Sequence, residues 1–307
     1  MSLATARTLD EIRVKLLPAR RSGKRIGLVP TMGALHAGHA SLIEKARADS
    51  EVVAVSIFVN PLQFGPTEDY QRYPRELEKD LEVCERVGAD VVFAPALEDL
   101  YVSEQRTFVE VTHLADRLCG PYRPGHFRGV ATVVAKLFNV IQPDRAYFGE
   151  KDYQQLCIIR KMVEDLNFPI EIVPVPIYRD VDGLALSSRN AYLDPEERAA
   201  APALFRALTS AQKMIEDGEK DVRVVKEASA WILDAEPKIR AEYFQIVDPA
   251  ELQPVTEIAG PVRIAGAVWI GKTRLIDNVA ASPKGKPGQN FENGREQISN
   301  PKSEISN

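Results

Sequence analysis

The sequence predicts an α/β protein: a doubly wound parallel sheet of Rossmann-like, nucleotidyltransferase type, followed by a second, smaller α+β unit. Three observations predict it. Short runs that are apolar throughout recur, as expected for strands buried on both faces of a parallel sheet. Each run ends in Gly, Pro or polar residues and is followed by apolar residues at helical spacing. That alternation stops near residue 176, after which helices precede strands.

Residues 8–22 predict an amphipathic helix with Leu9, Ile12 and Leu16 on one face. Residues 26–48, IGLVPTMGALHAGHASLIEKARA, read as strand, turn and helix. Ile26, Leu28 and Val29 supply the strand, and Gly33 with the polar positions of 30–37 ends it. From Gly38 onward, Ala40, Leu42, Ile43 and Ala46 suit a helix. His36 and His39 therefore stand where a strand feeds a helix N-terminus. Open α/β sheets bind ligands there, and free N–H groups with the positive end of the helix dipole favour phosphate.

Residues 51–59, EVVAVSIFV, predict the next buried strand, and NPLQFGPTEDY after it is a loop. Residues 75–88 predict a helix with Leu77, Leu81, Cys84 and Val87 inward, closed by Gly88, and 90–94 a short strand. Residues 106–112 alternate as a half-buried strand, and 119–128, CGPYRPGHFR, form a loop. A helix follows with Val130, Val134, Leu137, Phe138 and Ile141 on one side. RAYF at 145–148 is a brief strand running into GEKD, and the next helix carries Leu156, Ile159, Val163 and Leu166. Residues 170–178 are extended, with two prolines that keep the run off the sheet centre. Helices are then expected over 195–217 and 221–235, and strands over 241–247 and 262–270. Residues 283–307 hold too few large apolar groups to offset chain entropy and are expected to form a disordered tail. The expected division is 1–176, 177–282 and 283–307.

The chain has 307 residues, enough for a sizeable core, and carries a net charge of −5. An acidic balance gives no sign of the basic face of a nucleic-acid binder. Cys84, Cys119 and Cys157 fit no CxxC or zinc spacing and read as free thiols of a reducing compartment. The N-terminus has no apolar signal segment and no run is long enough to span a membrane, so a cytoplasmic location is expected. GAVWIGKT, residues 266–273, matches the P-loop pattern literally. A P-loop must open a helix, and here the residues between the glycines read as strand with too little chain after them, so the motif is rejected.

Three loops carry chemistry. HAGH offers two imidazoles at i and i+3 on one side of a helix start, with Gly38 between them leaving room for a base or a phosphate. Alone, the pair could equally be a metal half-site or two surface histidines. In GEKD, Lys151 suits phosphate and Asp152 a ribose hydroxyl or Mg²⁺, against a plain solvated helix start. In LALSSRN, two hydroxyls and a guanidinium suit a triphosphate, against a capping serine and a surface arginine.

PTMGALHAGH, FVNPLQF, RPGHFRGV, FGEKDYQQL and DGLALSSRN occur together and in this order. On these segments the chain closely resembles the pantothenate synthetase (pantoate–β-alanine ligase) family, over residues 1 to about 280. The first and last are similar to the HxGH and KMSKS-type signatures of class I nucleotidyltransferases and aminoacyl-tRNA synthetases.

The resemblance implies ATP-dependent condensation of pantoate with β-alanine through pantoyl adenylate, with release of pyrophosphate and AMP. It implies that Met32, Gly33, Ala34, Leu35, His36, Ala37, Gly38 and His39 line the ATP site, His39 being the proton donor. Gly149, Glu150, Lys151 and Asp152 would contact the nucleotide, Lys151 on its phosphates. Leu186, Ser187, Ser188 and Arg189 would close over the triphosphate. His36, His39 and Lys151 are the catalytic candidates. Gln63 and Gln155 would hold pantoate, Gln63 also lying near β-alanine, with Asn60 and Arg123 in matching substrate loops. Mg²⁺ would accompany ATP, held mostly by phosphates, with Asp80 as a neighbour; no protein metal site is expected. Tyr178 stands beside adenine where a small branched residue is the family's pattern. A homodimer through the larger domain is implied, with no nucleic-acid or membrane partner. The nearest rival is a nucleotidyltransferase of the same superfamily; the glutamines of FVNPLQF and EKDYQQL favour the ligase. A tRNA synthetase is disfavoured, because too few foldable residues follow residue 190.

Overall fold

The computed structural model describes residues 3–66, 68–101 and 103–283. The order of elements is β1 (Ala4–Ala6), α1 (Leu9–Arg21), β2 (Ile26–Thr31), α2 (Ala37–Asp49), β3 (Val52–Ile57), α3 (Leu77–Arg86) and β4 (Val91–Phe93). Then come α4 (Leu97–Leu100), α5 (His126–Ile141), β5 (Arg145–Gly149), α6 (Tyr153–Asp165) and β6 (Glu171–Val175). The chain continues with α7 (Pro195–Ala200), α8 (Ala203–Glu216), α9 (Val222–Asp234), β7 (Ile239–Val247), β8 (Val262–Ile270) and β9 (Thr273–Ala281).

The first six strands form one parallel sheet in the order β1-β4-β3-β2-β5-β6. Strand residues alternate between two apolar layers, which is why the strand sequences are apolar throughout. Ile26, Leu28 and Ala54 join the layer holding Ile12, Leu16 and Phe138. Val29, Val53 and Val55 join the opposite layer, with Ile43, Ala46 and Cys84. From β2 the chain winds outward to β3 and β4, then crosses back to place β5 on the other side of β2. The strand order reverses between β2 and β5, and loops leaving their C-terminal ends diverge into a crevice there.

The antiparallel sheet β7-β8-β9 belongs to the smaller unit. One side packs on α8 and α9 through Ile264, Val268, Leu208, Ile215, Val225 and Leu233. On its other side, Tyr243, Ala265 and Ala267 enter the larger core, so the two units share an apolar seam.

Several expectations are corrected. Pro30 and Thr31 remain in β2; β5 pairs with β2 only at Gly27 and Leu28, which leaves room beyond for a residue without an N–H. Residues 106–112 form no strand: Val109 and Val111 turn inward, but the Val109 N–H donates to Thr132 Oγ1 and not to a ladder. The edge of the sheet is taken by β1, a three-residue strand absent from the sequence reading. α5 begins at His126, inside the expected loop, and Leu166 lies exposed just past α6. The helix expected over 195–217 is two, α7 and α8, because Pro202 interrupts it. β9 was also missed; it pairs along the whole of β8, so GAVWIGKT is a strand running into a hairpin turn. The two prolines behave as expected, since β6 is the edge strand. The tail expectation falls, from residue 284 on, outside the described residues. Cys84, Cys119 and Cys157 are free and buried.

Candidate active site

A cleft of about 230 Å³ opens above the C-terminal ends of β2 and β5. Met32, His36, Gly38, His39, Gln63, Arg123, Gly149, Lys151, Asp152, Gln155, Tyr178 and residues 186–189 all line it. Three loops far apart in sequence thus meet at the point where the strand order reverses.

The first wall is the turn from β2 into α2. Gly33 and Ala34 adopt left-handed backbone, with φ of 84° and 53°. A Cβ at Gly33 would lie 2.7 Å from Asp80 Oδ2, so conformation and space both require glycine. Asp80, 3% exposed, accepts from Ala34 N at 3.0 Å and Leu35 N at 2.7 Å. Both its oxygens hold the loop. Gly33, Ala34, Leu35 and Ala37 shape the turn from behind and do not line the cleft.

His36 caps α2: its Nδ1 accepts the Gly38 N–H at 3.1 Å, while His39 Nδ1 accepts the His36 N–H at 3.3 Å. With both Nδ1 atoms accepting, the neutral rings carry their protons on Nε2. Burial and then the Lys151 charge bring the His36 pKa down to about 4. Burial, His36 and Lys151 bring that of His39 down to about 3. Near neutral pH the pair is uncharged and offers two N–H donors.

The second wall is the turn from β5 into α6. Lys151 Nζ lies 3.7 Å from Asp152 Oδ1. Glu150 faces away from the cleft, and its carboxylate lies 3.9 Å from Arg263. Of the two glutamines on the first turn of α6, Gln154 is buried and bonded to Cys119 N, Leu114 O and Arg117 O. Gln155 faces the cleft.

The third wall is the segment 184–190. Ser187 caps a short 3₁₀ turn by accepting the Arg189 N–H, and Ser188 Oγ donates to Ala34 O at 3.2 Å. Arg189 makes a two-point pair with Asp69, at 3.0 and 2.9 Å. Arg123 is likewise held by Glu68. Burial alone would raise both carboxyls, but these arginine contacts hold them below their ordinary values. The loop after β3 therefore supplies counter-charges to two cations of the cleft.

The floor is built from α5 and the 3₁₀ turn Pro61–Gln63. Asn60, 1% exposed, does not reach the cleft; its Nδ2 donates to Gln63 Oε1 and to Gly129 O, both at 3.1 Å. It holds Gln63, whose Nε2 donates to Met32 Sδ. His126 was missed as a site residue although RPGHFRGV was singled out. Its Nδ1 donates to Gln63 O at 2.8 Å and its Nε2 accepts from Arg123 Nη1 at 2.9 Å. Burial and the Arg123 charge keep the ring neutral, with a pKa lowered to about 3. No group of three or more His, Cys, Asp or Glu side chains able to hold a metal occurs among the described residues. No helix among them is long and apolar enough to cross a membrane.

The sequence profile of a family described as pantoate-beta-alanine ligase matches residues 4–280. The chain belongs to the pantoate–β-alanine ligase family. It is 55% identical over 272 residues to the pantothenate synthetase of Moorella thermoacetica, covering 89% of this chain and 96% of that protein. To the Aquifex aeolicus pantothenate synthetase it is 54% identical, covering 88% and 96%. The crystal structure of pantothenate synthetase from Thermus thermophilus superposes with a TM-score of 0.86 at 48% identity, over 90% of this chain and 98% of that one. That of the Francisella tularensis pantoate–β-alanine ligase, complexed with beta-gamma ATP and β-alanine, superposes with a TM-score of 0.75 at 34% identity, over 90% and 97%. Members of this family are ligases that form a C–N bond, and the chain is such an enzyme. The fold expected from the sequence is the fold of the family.

Proposed function

We propose that the chain condenses pantoate with β-alanine in two steps in this one cleft. The pantoate carboxylate attacks the α-phosphorus of ATP; a P–O bond forms to the acyl oxygen, the bond to the β-phosphate breaks, and pyrophosphate leaves. The β-alanine amine then attacks the acyl carbon of pantoyl adenylate. A C–N bond forms, the amine loses a proton, and AMP leaves with the oxygen it shared with the acyl group. One observation carries this reading: cationic and N–H donor groups from three loops converge on a cleft that Gln63 and Gln155 also line. The ATP and β-alanine complex of the Francisella relative supports it.

In this reading His36 and His39 donate through Nε2 to phosphate oxygens, with His39 nearest the departing group. Lys151 and Arg189 neutralise the charge that grows on the leaving pyrophosphate. Neutral amides at Gln63 and Gln155 orient pantoate without taking charge from the nucleophile. Gly149 and Tyr178, which line the cleft, would border the base and ribose. Mg²⁺ would arrive on the triphosphate, as it commonly does in phosphoryl-group chemistry. The unit 177–282 would close against 1–176 about residues 176–184 and shield the acyl adenylate from water. A homodimer and a cytoplasmic location complete the proposal.

The test follows AMP, pyrophosphate and pantothenate with ATP, Mg²⁺ and pantoate, with and without β-alanine. Pyrophosphate release with pantoate alone, and pantothenate with AMP only after β-alanine is added, are expected. AMP left on the product and no pantothenate would instead make the chain a nucleotidyltransferase of the same superfamily.

A further inference from the structure

We propose that Asn278, on β9 of the smaller unit, is the positioning residue for Lys151; this rests on the reading of Lys151 as a phosphate group's partner. Asn278 is 3% exposed. Its Nδ2 donates to Glu150 O at 2.9 Å and to Lys151 O at 3.0 Å. Its Oδ1 accepts from Arg263 Nη1 at 3.0 Å. The orientation of the amide follows from its neighbours: a guanidinium can only donate and two carbonyls can only accept. Every strong hydrogen-bonding position of the NH₂ group is used, and both bonds cross from the smaller unit to the larger.

The two carbonyls belong to the 3₁₀ turn Glu150–Asp152, which joins the end of β5 to α6. Fixing the carbonyls of residues 150 and 151 fixes the peptide planes on either side of the Lys151 Cα, and so the direction in which its side chain leaves. Arg263, which orients the amide from behind, also lies over the Tyr153 ring at 3.8 Å, tying the first residue of α6 to the same cluster. The neighbouring residue acts on the opposite wall. Asp277 holds Arg179 through two hydrogen bonds, at 2.6 and 2.9 Å, and Arg179 follows Tyr178 of the cleft. Successive residues of β9 thus hold the turn that carries Lys151 and the segment that carries Tyr178. Aspartate at 278 would present two acceptors to two acceptors, and alanine would leave both carbonyls without their donor.

The test is a double-mutant cycle read by equilibrium ATP binding in a calorimeter, with Mg²⁺ present, on K151A, N278A and the double variant. Loss of orientation predicts weaker ATP binding in N278A by about tenfold or more. In the K151A background, N278A should cost little further, because the group it positions is gone. Thermal melts report folding; if N278A does not fold, N278D, the same size and able to keep the Arg263 contact, takes its place with the same expectation. Unchanged ATP affinity in a folded Asn278 variant overturns the proposal. So does a loss equally large with and without Lys151, which is what general loosening of the fold would give. Unchanged affinity in K151A overturns the phosphate reading of Lys151 and the proposal with it; lowered affinity in K151A with additive variants overturns the proposal alone.

Discussion

Each imidazole of HAGH spends its Nδ1 on a backbone N–H of the same turn, and this decides what it can give a ligand. A neutral ring fixed as the Nε2–H tautomer is a donor aimed outward, and it needs no proton from solvent to act. His39→Ala should therefore slow single-turnover adenylation by about 10²- to 10³-fold. The cost to stability should be about 1 kcal/mol, the worth of a capping contact. Rapid-quench release of pyrophosphate beside a thermal melt measures both; near-native release in a folded variant would remove His39 from the step. At this scale the sequence was informative about which residues face the cleft and silent about what holds them. HAGH, Lys151 and residues 186–189 were legible because each sits in a polar or glycine-bearing turn that local pattern reveals, whereas Gln155 came only with the family resemblance. The pairing of Arg189 with Asp69, and of Arg123 with Glu68, was not legible. Those pairs join residues 120 and 55 positions apart, and nothing in either segment alone names its partner.

Among the elements, α5 and the turn Pro61–Gln63 approach closely enough to exclude a methyl group. A Cβ on Gly129 would lie 2.2 Å from Leu62 O and 2.6 Å from Gln63 N, while Gly129 O is itself held by Asn60. Gly129→Ala must push the turn away from the helix and carry Gln63 with it. The overpacking should cost about 1–3 kcal/mol of stability. The efficiency kcat/KM should fall more for pantoate than for ATP, because HAGH and Lys151 stand on other strands. Steady-state kinetics with each substrate varied in turn measures the split; an equal fall for both would place Gln63 outside the pantoate site. The elements the sequence revealed are those with a long apolar period, such as α5 and β3. Those it hid have a physical reason. β1 has only three residues, too few to show a period. β9 carries Asp277 and Asn278 in its middle, which read as a break because their partners, Arg179, Glu150 and Lys151, come from distant chain. The alternation at 106–112 was real as burial, but pairing depends on a free sheet edge, and β1 holds it.

For the molecule as a whole, the cleft concentrates three neutral histidines in a chain that has four. Burial is the first cause in each case, with Lys151 or Arg123 adding to it, and each ring titrates near pH 3 to 4 when folded. An unfolded histidine titrates near pH 6.5. Between those values the unfolded chain binds more protons than the folded one, so stability rises with pH across that window and levels off above about pH 7. Acidification from pH 7 to pH 5 should cost on the order of 1–2 kcal/mol per ring, less where cleft water reaches it. Glu68 and Asp69 do not offset this, since they are held below their ordinary values and stay ionised through the window, whereas burial raises Asp80 and Asp277, and any proton they take up on acidification opposes the histidine slope. Urea unfolding free energies at pH 5, 6, 7 and 8 measure the slope, and His126→Gln should flatten it by about one histidine's share. The same arrangement links function to pH. A triphosphate brought against His36 and His39 favours their charged forms, so ATP binding should take up protons near pH 5 and strengthen as pH falls toward it, while the empty fold weakens. Calorimetric binding in two buffers of different ionisation enthalpy reads that uptake directly. A slope of zero in stability between pH 5 and 7, or no buffer dependence of ATP binding at pH 5, would show that the rings are not held neutral by the cleft.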